Sequence, residues 1–161
     1  MKALLAILGV VALFTGLVIG GEEKSGHATD TSHLFFKPDA LKWGAAPPGL
    51  PSGIQVAVLV GDPGKPAPFV IRAKLPDGCQ IPPHWHSTEE NVTVLQGTFL
   101  MGHGDQLDPA KTQELSAGSF AHMPKGMRHF AIAKGETIIQ VHGTGPFDIT
   151  YVNPADDPRK K

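Results

Sequence analysis

Residues 78–97 read GCQIPPHWHSTEENVTVLQG, and the spacing within this stretch decides the fold. It contains the pattern G-x5-H-x-H-x3-E-x6-G, whose fixed positions are Gly78, His84, His86, Glu90 and Gly97. Twenty residues separate Gly97 from Gly118, and residues 118–130 read GSFAHMPKGMRHF. They contain G-x5-P-x-G-x2-H, whose fixed positions are Gly118, Pro124, Gly126 and His129. A single His or Gly carries little information, but the two patterns together predict one shared site.

The spacing of the histidines suits a metal site built on strands. In a strand, residues i and i+2 point to the same face, so His84 and His86 project together and Trp85 points away. Glu90 follows after a short turn and can enter the same space. His129 follows a Pro-x-Gly turn and supplies a fourth group from a distant strand. Three imidazoles and one carboxylate suit a divalent metal, and Fe, Mn, Ni, Zn and Cu all remain open.

Short β-rich runs alternate with turn signals over most of the chain. The 19 Gly and 15 Pro are too many for a helix bundle and favour a fold with many turns. Short strands at intervals of roughly 8–12 residues predict an all-β sandwich or barrel. The predicted strands are residues 54–60, 69–75, 92–101, 119–123, 128–133, 137–142 and 148–152.

The two patterns resemble the paired motifs of the cupin superfamily. The resemblance implies an all-β double-stranded β-helix, or jelly-roll barrel, which we place at residues 39–153. In that family, two His and the Glu of the first motif and the His of the second hold one divalent metal. The resemblance implies these roles for His84, His86, Glu90 and His129. Spacing alone selects Glu90, so we expect Glu89 to be solvated.

A narrower resemblance is to a group of small single-domain bacterial cupins. It rests on GDPGKPAPF at residues 61–69, HWHSTEENVTVLQGTF at 84–99 and VHGTGPFDITYVNPADDPRK at 141–160. This group has no settled activity, so the resemblance implies a fold and a metal without a reaction. Small cupins commonly pair through strand edges, and the resemblance therefore also implies a homodimer.

The first 21 residues resemble an export segment. Lys2 is followed by an uncharged, mostly apolar run from Ala3 to Ile19. We expect a signal peptide cleaved near Gly20-Gly21, or an uncleaved N-terminal anchor, and contact with a membrane only in the second case. Either places the domain outside the cytoplasm, in the periplasm or the medium. We interpret residues 22–38 as a flexible tether and residues 154–161 as a disordered tail.

Charge and cysteine content exclude several classes of protein. The chain has 14 Lys+Arg, 15 Asp+Glu and a net charge of −1, which argues against nucleic-acid binding because that needs a basic face. One cysteine cannot form an internal disulfide or a four-cysteine zinc site.

Three functions remain open. The first is a metal-dependent enzyme, an oxygenase or a related lyase, isomerase or hydrolase, acting on a small polar molecule. The second is a non-catalytic module that binds a metal or small ligand, and the third is a purely structural or interaction role. His122 and His142 are weak candidates for a general acid or base, and the alternative for both is a hydrogen-bonded, partly buried imidazole.

Overall fold

Antiparallel strands make up about half of residues 33–161, the part of the chain that the computed structural model describes. By its internal contacts, Phe35–Lys161 forms one compact unit. The strands in this part are β1 (Gly44–Ala45), β2 (Gln55–Val60), β3 (Pro68–Leu75), β4 (Gln80–Trp85), β5 (Glu90–His103), β6 (Gln113–Ser116), β7 (Phe120–Met123), β8 (His129–Thr144) and β9 (Thr150–Tyr151). Short 3₁₀ helices lie at Pro38–Ala40, Pro109–Lys111, Pro154–Asp156 and Pro158–Lys160.

Two long strands, β5 and β8, curl the sheet into a barrel. The first half of β8 pairs with β4, and its second half pairs with β3. Strand β5 runs beside β8 over nearly its whole length and also pairs with β7 near its start and with β6 near its end. Each long strand therefore belongs to both layers of the barrel. The expected jelly-roll fold is confirmed.

Strand β5 bends at Gly97. The residue has a φ of +74°, a left-handed conformation that favours glycine, and the β5–β8 register shifts between Val94 and Gln96 and again between Gln96 and Thr98. A Cβ here would also run into the backbone oxygen of Glu136 on β8. Glycine is therefore needed at this position for both conformation and space.

The core lies between the inward faces of the strands. Strand β3 shows the alternation directly, because Phe69, Ile71, Ala73 and Leu75 are buried while the residues between them are half-buried. Burying one such large apolar side chain contributes roughly 1.5–3 kcal/mol. These residues join one cluster with apolar side chains of β5 and β8.

The structure differs from the sequence prediction in several elements. Residues 128–133 and 137–142, predicted as two strands, belong to the single strand β8, because the chain stays paired with β5 on both sides of the kink at Gly135. Strands β1 and β6 were not predicted, and β4 was assumed only in the argument that His84 and His86 point to the same face. Residues 80–85 were left out of the predicted strands because they include Pro82 and Pro83. Strand β4 accommodates the two prolines through an irregular register between Ile81 and His84.

The C-terminal residues carry short 3₁₀ helices where we expected a disordered tail. Asp157 is buried and accepts hydrogen bonds from Arg159, whose guanidinium also donates to the backbone oxygen of Ile149 at 3.0 Å. These contacts tie the last residues to the barrel. The predicted leader, residues 1–21, and most of the predicted tether, residues 22–38, lie outside the described residues. No helix within residues 33–161 is long and apolar enough to cross a membrane.

Candidate metal centre

Strand pairing brings His84 and His129 together. The two residues face each other across β4 and β8, and their ring centroids lie 4.2 Å apart. His86, two residues after His84, adds a third ring at 5.0 Å from His84 and 5.3 Å from His129. All three side chains are buried. The candidate ligand atoms of these three histidines lie within 4.8 Å of one another, so they could hold one metal ion.

Backbone carbonyls fix the orientation of all three imidazoles. Each Nδ1 lies against a carbonyl oxygen: His84 against Pro82 at 2.7 Å, His129 against Met127 at 2.9 Å, and His86 against Asp148. A carbonyl oxygen only accepts, so each Nδ1 carries the hydrogen and donates it. In the neutral ring the opposite nitrogen, Nε2, is then an unprotonated electron-pair donor. Hydrogen bonds of this kind usually orient metal-ligating histidines.

The carboxylate of Glu90 completes a cluster of electron-pair donors. Its Oε2 lies 3.2 Å from His129 Nε2 and 3.5 Å from His86 Nε2. His86 Nε2 is buried without a hydrogen-bond partner among the described residues. Neutral Nε2 atoms and a carboxylate all accept hydrogen bonds, so their approach needs a cation or a shared proton between them. Three imidazoles and one carboxylate suit a divalent first-row metal, so these residues fit such an ion.

At His84 and Glu90 the environment favours the protonation states that bind metal. Burial, with the nearby His129 and His86, lowers the pKa of His84 to about 3. Burial opposes the charge of Glu90, but the imidazoles of His129 and His86, at 3.2 and 3.5 Å, outweigh this effect and hold the pKa of Glu90 well below its usual range. Burial likewise opposes the charge of His86, yet Glu90 beside it raises the pKa of that imidazole. Without metal, a proton on His86 can therefore neutralise Glu90, and binding of a metal would release it.

The two neighbouring glutamates have different surroundings. Glu90 is only 8% exposed and faces the imidazoles, whereas Glu89 is exposed. The difference follows from strand alternation at the start of β5, because Glu90 and Val92 point inward and Asn91 is half-buried. The spacing in the sequence pattern selects the same glutamate.

Two adjoining cavities lead away from the centre. The inner cavity, of about 60 Å³, is lined by His84, His86 and Glu90 together with apolar side chains. The outer cavity has a volume of about 390 Å³, and His86 lines it as well as the inner cavity. Both are lined by the same six residues where they adjoin: Leu50, Val56, Ile71, His86, Phe147 and Ile149.

Two residues of the centre were missed by sequence reasoning. Phe147 stacks on His86, with ring centroids 4.4 Å apart and planes at 19°. Asp148 orients His86 through its backbone oxygen, and its carboxylate accepts hydrogen bonds from Ser87 N and Oγ, both at 2.7 Å. Both residues lie in the quoted stretch 141–160. Nothing in that stretch signalled chemistry, because a Phe and an Asp after Gly-Pro are typical of a turn.

The weak catalytic candidates lie apart from these cavities. His122 is exposed, its Nδ1 is 2.9 Å from Asn91 Oδ1, and it lines a separate cleft of about 280 Å³ that also touches His129. His142 is half-buried, near the ring of Phe120, and lines neither the inner nor the outer cavity. Both hydrogen-bond or pair with Asn91 of β5.

Comparisons with known proteins agree with this architecture. The family described as "Cupin domain" matches residues 71–143. The polyketide cyclase RemF from Streptomyces resistomycificus superposes with a TM-score of 0.64 at 19% identity, covering 80% of this chain and 92% of its own. An RmlC-like cupin from Shewanella frigidimarina has a TM-score of 0.54 at 16% identity, covering 71% and 94%. KdgF from Halomonas sp. has a TM-score of 0.53 at 21% identity, covering 71% and 96%.

At these identities the structural likeness establishes the fold alone. No curated protein matches the sequence.

Proposed function

We propose that the protein binds one divalent metal ion and acts on a small molecule as a metalloenzyme, and the match of the cupin-domain family to residues 71–143 supports this. The ligands are His84, His86, Glu90 and His129. The reaction is of the oxygenase type or a related elimination, isomerisation or hydrolysis. One observation carries the proposal: the Nε2 atoms of His86 and His129 lie 3.5 and 3.2 Å from the buried carboxylate of Glu90, while backbone carbonyls hold the Nδ1 atoms of all three imidazoles.

Each part of the centre has a role in this proposal. A bound divalent metal supplies a Lewis acid that polarises an oxygen atom or lowers the pKa of water. His84, His86 and His129 would hold the ion in a fixed position, and the negative charge of Glu90 would offset part of the charge of the ion. The apolar walls of the inner cavity exclude bulk water, which strengthens electrostatic interactions at the site.

A non-catalytic module that binds a metal or small ligand is the second candidate. One observation favours it. Among the described residues that line the inner and outer cavities, the titratable groups are the proposed ligands and the rim acids Asp62 and Asp148. A separate general acid or base, which many enzymes use, is not found among them.

Metal content tests the ligand set. We would measure it by elemental mass spectrometry on protein purified without chelator, comparing Glu90→Gln with Glu89→Gln. These adjacent residues differ in burial, so the second variant is a matched control. We expect about one equivalent of metal in the parent and in Glu89→Gln, and a loss in Glu90→Gln and His129→Ala. Equal metal content in all four proteins would contradict the proposal.

Turnover separates the two candidates. The metal found in the parent selects the assay, namely dioxygen uptake for Fe, or hydrolysis and isomerisation for Zn, Mn or Ni. Turnover that disappears in Glu90→Gln but persists in Glu89→Gln would support the enzyme. Tight ligand binding by metal-loaded protein, with every tested substrate left unchanged, would support the binding module.

We also propose export to the periplasm or the medium, and a homodimer. The support for export is the apolar run after Lys2, and the support for the dimer is the resemblance to small cupins. Cell fractionation with N-terminal sequencing tests export, and a mature N-terminus near Gly21 is the expected result. Full-length protein in the cytoplasm would contradict it. Light scattering coupled to gel filtration tests the dimer, which a monomeric mass would exclude.

A further inference from the structure

The outer cavity has apolar walls and an acidic rim. The wall residues nearest the metal centre are Leu50, Val56, Ile71, Phe147 and Ile149, and Asp62 and Asp148 lie at the mouth. None of the described residues that line it is a lysine or arginine. Along these walls a carboxylate or phosphate would therefore lose its water without gaining a lysine or arginine partner, which is costly, and the exposed Lys65 beside the rim is paired with Asp62 at 3.6 Å.

Backbone hydrogen bonds fix the mouth of the outer cavity. Gly145 N donates to Ala67 O at 3.0 Å, and Phe147 N donates to Pro63 O at 2.7 Å. The two acidic side chains are also held, because Asp62 Oδ1 accepts from Gly64 N at 2.9 Å and Asp148 accepts from Ser87. The opening is thus preformed, which reduces the entropy cost of binding a ligand.

We propose that this protein binds an uncharged, apolar small molecule in the outer cavity, packed against Phe147 and with its inner end at His86. The proposal deepens the proposed function by naming the substrate class. It replaces the small polar substrate expected from the sequence.

Size and depth favour a small molecule over the other occupants of an apolar surface. A volume of about 390 Å³ lies within the usual range of small-ligand sites, roughly 300–1,000 Å³. The cavity also adjoins the inner cavity, whose polar groups are the proposed metal ligands. Apolar walls that converge on a few polar groups are typical of a ligand site. A polyol would bury its hydroxyls against these walls without partners.

A pair of probes with one ring and different charge tests the proposal. We would record methyl NMR spectra of the full chain, stripped of metal with chelator, during titration with toluene or with benzoate. Toluene should shift the methyl signals of Val56, Ile71 and Ile149 saturably and leave Ile132, which lines neither cavity, unchanged. Benzoate should bind at least about 100-fold more weakly, because no lysine or arginine lines the cavity and Glu90 already neutralises the charge of a protonated His86.

A matched pair of variants locates the binding. Val58 lines the outer cavity and is 53% exposed, whereas Val60 on the same strand is 45% exposed and does not line it. Val58→Trp should fill the mouth and weaken toluene binding about tenfold or more, while Val60→Trp should not. The metal content of both should equal that of the parent, which keeps this test independent of the metal proposal.

Three results would overturn the inference. The first is equal binding of benzoate and toluene. The second is toluene binding that both tryptophan variants leave unchanged. The third is the absence of a toluene-induced shift at Val56, Ile71 and Ile149. This result would overturn the inference even if its cause were that another part of the chain or a second copy of it fills the cavity. Toluene binding by a protein that never retains metal would support the apolar site and contradict the metalloenzyme.

Discussion

His84 and His129 face each other across antiparallel strands, with their ring centroids 4.2 Å apart, although 44 residues of sequence lie between them. This pairing joins the first sequence pattern, residues 78–97, to the second, residues 118–130. Strand β8 starts at His129, and its register with β4 places this residue directly opposite His84. The metal centre is therefore a product of sheet register, and its geometry depends on the barrel being folded.

The first prediction concerns stabilisation by metal. An ion that binds only the folded state adds about 2.7 kcal/mol to the free energy of unfolding at a concentration 100 times its Kd. We expect the parent to show this gain in urea denaturation when Zn²⁺ is added to chelator-treated protein. His84→Ala should lose it, because one of three imidazole ligands is gone.

His142→Ala is the control, since His142 lines neither cavity. This variant should keep the full gain in stability. A gain that survives in His84→Ala would mean that metal binds elsewhere.

The second prediction concerns acid. The pKa of His84 is about 3 in the folded protein, against 6.5 for the free side chain. A depressed pKa means that the unfolded chain binds the proton first, so stability from this group is complete above pH 6.5 and is lost as the pH falls toward 3. The loss reaches at most about 1.4 kcal/mol per pH unit for one proton.

A comparison with His84→Gln isolates the effect of His84 on the pH dependence of stability. The comparison is needed because the raised pKa of His86 changes the stability with pH in the opposite direction. We would measure urea denaturation of metal-free parent and variant between pH 7 and pH 4. The stability of the parent should fall more steeply than that of the variant. Parallel pH profiles would show that His84 is not buried in its neutral form.

How much of this could be read from the sequence differs between parts of the molecule. The side on which His84 and His86 project follows from strand alternation, whereas the choice of Glu90 over Glu89 rests on the spacing of the sequence pattern alone. Gly135 separates two predicted strands, residues 128–133 and 137–142, that are one strand in the structure. Residues near a glycine do not show whether the chain beyond it stays paired with a distant strand. The apolar outer cavity was not predicted either. It depends on how residues 47–50, 62–64 and 147–149 pack together, which periodicity within one strand does not reveal.

The third prediction compares two glycines with the same φ of +74°, Gly97 and Gly135. An alanine at either position adopts a left-handed conformation at a cost of roughly 1–2 kcal/mol. A Cβ at Gly97 would also clash with backbone atoms of Glu136 and Thr137, whereas a Cβ at Gly135 would meet nothing within 4 Å. Gly97→Ala should therefore lower the unfolding free energy by more than Gly135→Ala, measured by urea denaturation. Equal losses would mean that β5 and β8 separate easily at the bend.

The fourth prediction concerns Tyr151. Its hydroxyl donates to the backbone oxygen of Gly49 at 2.8 Å, and Tyr151→Phe should cost about 1 kcal/mol of stability by leaving that oxygen unpaired. Burial, with the charge of Asp157, raises the pKa of Tyr151 to about 12. A raised pKa means that this contribution is complete below pH 10 and is lost as the pH rises toward 12.

Thermal denaturation at pH 8 and at pH 11 checks both statements about Tyr151. The difference between parent and Tyr151→Phe should be smaller at pH 11. A difference that grows with pH would contradict the assigned hydrogen bond.

The most direct test of the metal centre is a long-range ¹H–¹⁵N NMR spectrum of the imidazoles, recorded before and after one equivalent of Zn²⁺. We predict that three of the eight histidines, His84, His86 and His129, carry the hydrogen on Nδ1 when zinc is bound, and that zinc shifts their Nε2 signals. The signals of His122 and His142 should stay in place. Zinc-dependent shifts at other histidines, or coordination through Nδ1, would contradict the central claim that three carbonyl-oriented imidazoles form the metal site.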